Sequence, residues 1–172
     1  GSLKGLEENF KNYEFIRLGT NRGFAFANNL AVKKVDDCNW IAFLNPDAFA
    51  HPEWLEMLVA AAEKHPEYKS FGSHMLKHKT NKMDGTGDIY HVCGSAWRRD
   101  YGELSSKVDR KVGEIFSPCA AGSFVYKDIF LEVGGFDESF FSYFEDVDLG
   151  FRMQLRGYGS LYIPSAKIEH VG

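Results

Sequence analysis

The segment SYFEDVDLGFRMQLRGYG, residues 142–159, places three acids, Glu145, Asp146 and Asp148, at the start of a helix otherwise rich in Phe, Val, Leu and Met. A buried carboxylate is costly unless a partner awaits it. Ser142-x-x-Glu145 fits a capping box, with Ser142 as N-cap and Glu145 reaching back. Asp148 and Arg152 are spaced i, i+4 and pair along the helix. Asp146 is left over in the first turn, where the helix dipole favours the ionised form, and a carboxylate presented in this way suits a general base.

Two further residues have types that can hold a metal. Asp47 leaves the apolar run WIAFL in the segment LNPDAFAHP, where Pro46 limits its direction. A hard divalent cation bridging phosphates needs one or two such carboxylates. An Asx turn or a cap for the following helix explains Asp47 equally well. His170 follows the final apolar run, either as a surface residue or as a ligand that joins Asp47 and leaves positions open for diphosphate oxygens. The loop Gly19-Thr20-Asn21-Arg22-Gly23 runs into a helix, so its backbone N–H groups and Arg22 can hold a phosphate, or it serves only as a turn.

The elements that must position these residues begin with a helical stripe over 3–12 and a short strand, EFIRL, at 14–18. A helix follows over 24–35, then the strand WIAFL at 40–44, whose unbroken apolar character predicts cover on both faces. Pro52 opens a third helix at the N1 position. This alternation predicts a parallel α/β sheet. From Phe71 to Phe116 the pattern turns to short strands and Gly-containing turns around a polar, mobile-looking stretch, KHKTNKMDGTGD. SFVYKDIFLEVGGF then reads as strand, short helix and double-glycine stop, before the acidic helix and the last strand.

The 172 residues fit one domain with no linker, a parallel nucleotide-binding half (1–70) followed by a more irregular half (71–172). A net charge of −4 offers no basic surface to nucleic acid. No apolar run approaches the roughly 20 residues of a membrane span. Cys38, Cys93 and Cys119 are odd in number and widely spaced, which predicts reduced thiols of a cytosolic protein rather than a disulfide framework.

Taken together, these segments resemble family 2 glycosyltransferases of the GT-A fold, and in particular the bacterial rhamnosyltransferase-like branch. NRGFAFANN resembles the family's N-x-G-F segment. FLNPDAFAHPEWL resembles its metal-binding acidic motif, VGGFDESFFSYFEDVDLGFRMQLRGY its catalytic segment, and IPSAKIEH its strand-plus-histidine finish. The resemblance implies a GT-A, Rossmann-like α/β fold: a mostly parallel sheet flanked by helices. It implies inverting transfer of a sugar from a UDP- or dTDP-linked donor to a glycan or lipid-linked acceptor, in cell-surface polysaccharide synthesis at the cytoplasmic side of a membrane. Asp47 and His170 would hold Mg²⁺ or Mn²⁺, and Asp146, assisted by Glu145, would deprotonate the acceptor. Asn21, Arg22, Gly23, Asn29, Asn45, Gly122, Trp97 and Arg99 would contact the substrates.

The family's opening strand, helix and second strand, which grip the nucleoside base, have no counterpart here. The sheet is therefore expected to be incomplete on its N-terminal side, with an open edge that favours pairing into a homodimer. Two rival readings remain: a metal-dependent nucleotidyltransferase, and a non-catalytic glycosyltransferase-like fragment.

Overall fold

The computed structural model describes residues 5–172. In chain order the elements are α1 (Leu6–Asn9), α2 (Gly23–Lys34), β1 (Trp40–Leu44), β2 (Ala48–Ala50), α3 (Trp54–Lys64), β3 (Ser70–Lys77), β4 (Met83–Gly85), β5 (Asp88–Tyr90) and β6 (Ala96–Arg98). A 3-10 turn at Ser105–Lys107 follows, and then β7 (Gly113–Ile115), β8 (Gly122–Tyr126), α4 (Lys127–Glu132), α5 (Glu145–Leu155) and β9 (Ser160–His170). Residues 3 and 4 of the expected first helix lie outside the described residues. No described helix is long and apolar enough to cross a membrane.

The main sheet runs β1-β8-β3-β9-β2, with β4 beside β3 and β7 beside β9. It is mixed rather than mostly parallel. Among the described strands only β3 and β9 pair in parallel, while β8 lies antiparallel to both β1 and β3. The helix between β1 and β3 does form the expected crossover, but β8 inserts between the two strands it connects. Local pattern cannot reveal a partner that arrives some 80 residues later.

Residues 14–18 adopt no strand, because no described strand lies alongside them. β1 is an edge strand of the described sheet: Trp40 packs into the core on one face and Ile41 and Phe43 into the core on the other, while Ala42 and Leu44 are exposed, so the expected cover on both faces is only partial.

Helices cover both faces of the sheet. On one, Trp54, Leu58, Ala61 and Ala62 of α3 pack on Phe71, Met75, Phe124, Leu161 and Ile168. On the other, Ala25 and Val32 of α2 pack with Val125, Phe130, Phe136, Leu149 and Met153. Phe124 and Val125 are neighbours in sequence and serve opposite cores, as the period-two alternation of a strand requires. Each fully buried Leu, Phe or Met contributes roughly 1.5–3 kcal/mol. The stretch 77–88 divides in two: residues 79–82 form an exposed turn, and residues 83–88 are buried. Met83, Asp84, Thr86 and Asp88 are all buried, and Met83 and Gly85 pair with β3.

Candidate functional site

A cleft of about 460 Å³ opens where β1 and β9 end and where β8 and α5 begin. Its walls include Asn45, Asp47, Asp84, Asp88, Trp97, Arg98, Glu145, Asp146 and His170. The topology thus brings Asp47, His170, Asp146, Glu145, Asn45 and Trp97, six of the sequence candidates, to one place.

At one end, a tight turn after β1 (Ala48 N–H to Asn45 O, 3.0 Å) is fastened to β8 through Asn45 N–H and Ala121 O at 3.1 Å. β2 then pairs with β9 so that Ala48 lies opposite His170. This register brings His170 Nε2 within 3.4 Å of Asp47 Oδ1 and 3.5 Å of Asn45 Nδ2. His170 Nδ1 meets Asp84 Oδ2 at 2.9 Å. Because a carboxylate only accepts, Nδ1 carries the hydrogen toward Asp84, and this directs Nε2, the remaining ring position for a ligand, toward Asp47.

The donor set fits a divalent cation. Two acceptors face each other across 3.4 Å, and the buried Asn45 Oδ1 beside them has no hydrogen-bond partner. No group of three His, Cys, Asp or Glu side chains at ligand spacing occurs among the described residues. A cation here would draw at most two ligands from those residue types, which suits Mg²⁺ or Mn²⁺ completed by phosphate oxygens and water.

The other end is the start of α5. The capping box does not form. Tyr143 and Phe144 both hold left-handed backbone, φ 74 and 67, so the helix starts at Glu145 with Phe144 at the cap position and no side-chain cap bond. Glu145 is buried, its Oε2 is unpartnered, and desolvation raises its pKa. Asp146 accepts from Ala120 N–H through Oδ2 at 3.0 Å and from Val147 N–H through Oδ1 at 2.9 Å. Asp148 pairs with Arg152 at 2.6 Å, as its spacing predicts.

The remaining sequence candidates lie outside the cleft lining. Asn21 Oδ1 accepts from Gly23 N–H at 2.9 Å, and Arg22 sits over the Phe26 ring at 4.0 Å. Gly23 takes φ 82, and a Cβ there would strike the Phe141 carbonyl. Asn29 is buried and binds the Phe136 carbonyl at 2.8 Å and the Phe136 amide at 2.9 Å. Gly122 lets Ile168 pack against β8. Arg99 donates to Thr86 Oγ1 at 2.9 Å and to the Thr86 carbonyl at 2.8 Å.

Asp84, Asp88 and Arg98 also line the cleft and were not singled out individually in the sequence. Arg98 Nη1 donates to the same Asp84 Oδ2 that His170 uses, at 2.7 Å. Burial and the nearby Asp146 push the Asp88 carboxyl up to about 7, against the opposing pull of Ser117 and Arg98. The signal was present in DGTGD, two acids flanking a glycine turn, but its polar composition reads as a loop.

Fold and cleft together define a GT-A protein, and comparison supplies its family. The chain belongs to glycosyl transferase family 2, whose model matches residues 2–130. It is 27% identical over 194 residues to N-acetylglucosaminyl-diphospho-decaprenol L-rhamnosyltransferase of Mycobacterium tuberculosis, covering 99% of this chain and 62% of that protein. It is 29% identical over 187 residues to rhamnosyltransferase WbbL of Escherichia coli K12, covering 98% of this chain and 67% of that one. The crystal structure of GalNAc-T7 with UDP, GalNAc and Mn²⁺ shares the fold, with a TM-score of 0.74 at 13% identity, over 97% of this chain and 35% of that one. The chain thus spans about two thirds of the length of the two rhamnosyltransferases.

Proposed function

We propose that the chain provides the catalytic cleft of a metal-dependent, inverting glycosyltransferase. It moves a sugar from a UDP- or dTDP-linked donor to a hydroxyl of a glycan or lipid-linked acceptor, at the cytoplasmic face of a membrane in cell-surface polysaccharide synthesis. The observation that carries this reading is the opposition, within one cleft, of the Asp47–His170 pair and the Asp146 carboxylate. The rhamnosyltransferases it resembles support a deoxysugar donor and, in one printed name, a diphosphate-linked lipid acceptor.

Asp47 and His170 would hold Mg²⁺ or Mn²⁺, with the unpartnered Asn45 Oδ1 beside them; a cation held there would supply positive charge against the diphosphate leaving group. Asp146, fixed by the Ala120 and Val147 amides, receives the acceptor's hydroxyl proton. The acceptor oxygen bonds to the anomeric carbon as that carbon's bond to the diphosphate oxygen breaks, which inverts the centre and frees the nucleoside diphosphate. Glu145 offers its unpaired oxygen to a substrate hydroxyl, and Trp97 offers a flat apolar face at the mouth.

A thermal-shift titration with UDP, dTDP and GDP, each with and without Mn²⁺, tests the donor end. A rise in Tm that needs both metal and one nucleotide supports it, since only the folded state binds. Nucleoside diphosphate release from a nucleotide-sugar tests the chemistry. It should fall by about 10²–10⁴-fold in Asp146→Asn with nucleotide binding intact. Pyrophosphate release from a nucleoside triphosphate and a sugar 1-phosphate would favour a nucleotidyltransferase, and binding without any turnover a non-catalytic relative.

A further inference from the structure

Beside Asp146 the cleft holds a buried acid with no part in this scheme. Asp88, on β5, is 5% exposed and lines the cleft with Asp146. Its Oδ2 accepts from Ser117 Oγ at 2.9 Å, its N–H donates to the Ser117 carbonyl at 2.9 Å, and the Phe116 N–H donates to its carbonyl at 3.3 Å. Three hydrogen bonds thus tie Asp88 to the segment 116–121. The same segment carries the Ala120 amide that holds Asp146 Oδ2 at 3.0 Å. Ser117 also lies against α5, in space that exists because residue 150 is glycine. Asp88 and Asp146 therefore grip one short segment, Asp88 through Ser117 and Asp146 through Ala120.

The charged and titratable groups facing Asp88 are few. Asp146 approaches from α5, Cys119 from the segment 116–121, and Arg98 lies opposite on β6. The Arg98 guanidinium is bonded to Asp84 at 2.7 Å, so it offsets only part of the crowding.

We propose that Asp88 is a positioning residue for Asp146: it braces the segment that orients Asp146 and, by holding or losing a proton, sets how firmly the acid pair takes up the acceptor's hydroxyl proton. This rests on the reading of Asp146 as the base. With Asp88 protonated the pair carries one negative charge. With Asp88 ionised it carries two, and the proton released as the glycosidic bond forms is held more firmly. Turnover therefore rises with pH through neutrality, where burial and Asp146 place the Asp88 ionisation.

The test is a carboxyl NMR titration of the full chain labelled with ¹³C-aspartate, run beside pH profiles of kcat/KM. One aspartate should titrate near neutral pH and vanish in Asp88→Asn, which keeps an oxygen for Ser117 to donate to. That titration should move down by about a unit in Asp146→Asn and up in Ser117→Ala, which loses the bond favouring the ionised form. The rate inflection near neutrality should disappear in Asp88→Asn, with kcat/KM above pH 8 lower by about tenfold. A neutral-pH titration unmoved in Asp146→Asn, or a rate inflection surviving in Asp88→Asn, overturns the proposal. Should Asp88→Asn fold poorly, the Asp146→Asn and Ser117→Ala titrations decide alone. Turnover surviving in Asp146→Asn sinks the base assignment instead, so the two failures are read separately.

Discussion

His170 and Asp84 meet at 2.9 Å through Nδ1 and Oδ2, both nearly inaccessible to solvent. The contact fixes the ring so that Nε2 faces Asp47, and Arg98 on the same Asp84 oxygen holds the carboxylate in turn. Carboxylates that orient a ligating histidine carry much of a site's affinity. Asp84→Asn should therefore weaken Mn²⁺ binding in the presence of UDP by about 10–100-fold. Isothermal titration with and without UDP measures this, and an unchanged Mn²⁺ affinity would show that Asp84 is only structural.

Cys93 sits in the exposed turn between β5 and β6, with Ser95 Oγ 3.3 Å and His91 Nδ1 3.0 Å from its sulfur. Hydrogen bonds from Ser95, then from His91, pull its thiol down to about 7. Cys119 is buried, and that burial pushes its thiol up. A disulfide reagent should thus modify Cys93 with a rate that reaches half its maximum near pH 7, while Cys119 stays unreactive in the folded chain. The fast phase should be absent from Cys93→Ser. A fast phase that persists there, or one that develops only above pH 8.5, would refute the assignment.

The helices α2, α3 and α5 and the strands β1, β8 and β9 were legible because each carries its own periodicity or apolar run. Asp47, Asp146 and His170 were legible for a related reason: each follows or opens such an element, and strand ends converge in an open α/β sheet. What was hidden depends on pairing across long separations. The insertion of β8 between β1 and β3 turns an expected parallel neighbour into two antiparallel ones. Asp84 and Asp88 look like loop residues until β4 pairs with β3 and β5 with β6. The capping box failed on backbone geometry alone, since Tyr143 and Phe144 give no sequence sign that they will adopt positive φ.

Gly150 separates two effects that oppose each other. In an exposed helix, Gly→Ala gains roughly 1 kcal/mol from propensity. Gly150 is buried in α5, and a Cβ there would run into the Cβ of Ser117. Overpacking of this kind costs about 1–3 kcal/mol, and backbone on both sides leaves little room to yield. Gly150→Ala should therefore lower Tm by about 2–8 °C. It should also disturb the placement of Asp146, because Ser117 belongs to the segment whose Ala120 amide holds that carboxylate. A Tm equal to or above that of the parent would mean that the segment moves aside freely.

Asn29 distinguishes a substrate contact from a structural latch. Its side chain donates to the Phe136 carbonyl and accepts from the Phe136 amide, and it also donates to Glu138 at 3.1 Å, 109 residues away. These bonds join α2 to the turn after α4, where Gly135 at φ 71 leaves room for the Asn29 amide. Removing the side chain leaves the Phe136 amide and carbonyl unsatisfied beside an apolar cluster, at about 1–3 kcal/mol for each stranded group. Asn29→Ala should lower the urea midpoint by an amount equivalent to about 2–4 kcal/mol, with the affinity of the remaining folded protein for Mn²⁺ and nucleotide unchanged. Loss of nucleotide affinity without loss of stability would return Asn29 to the donor site.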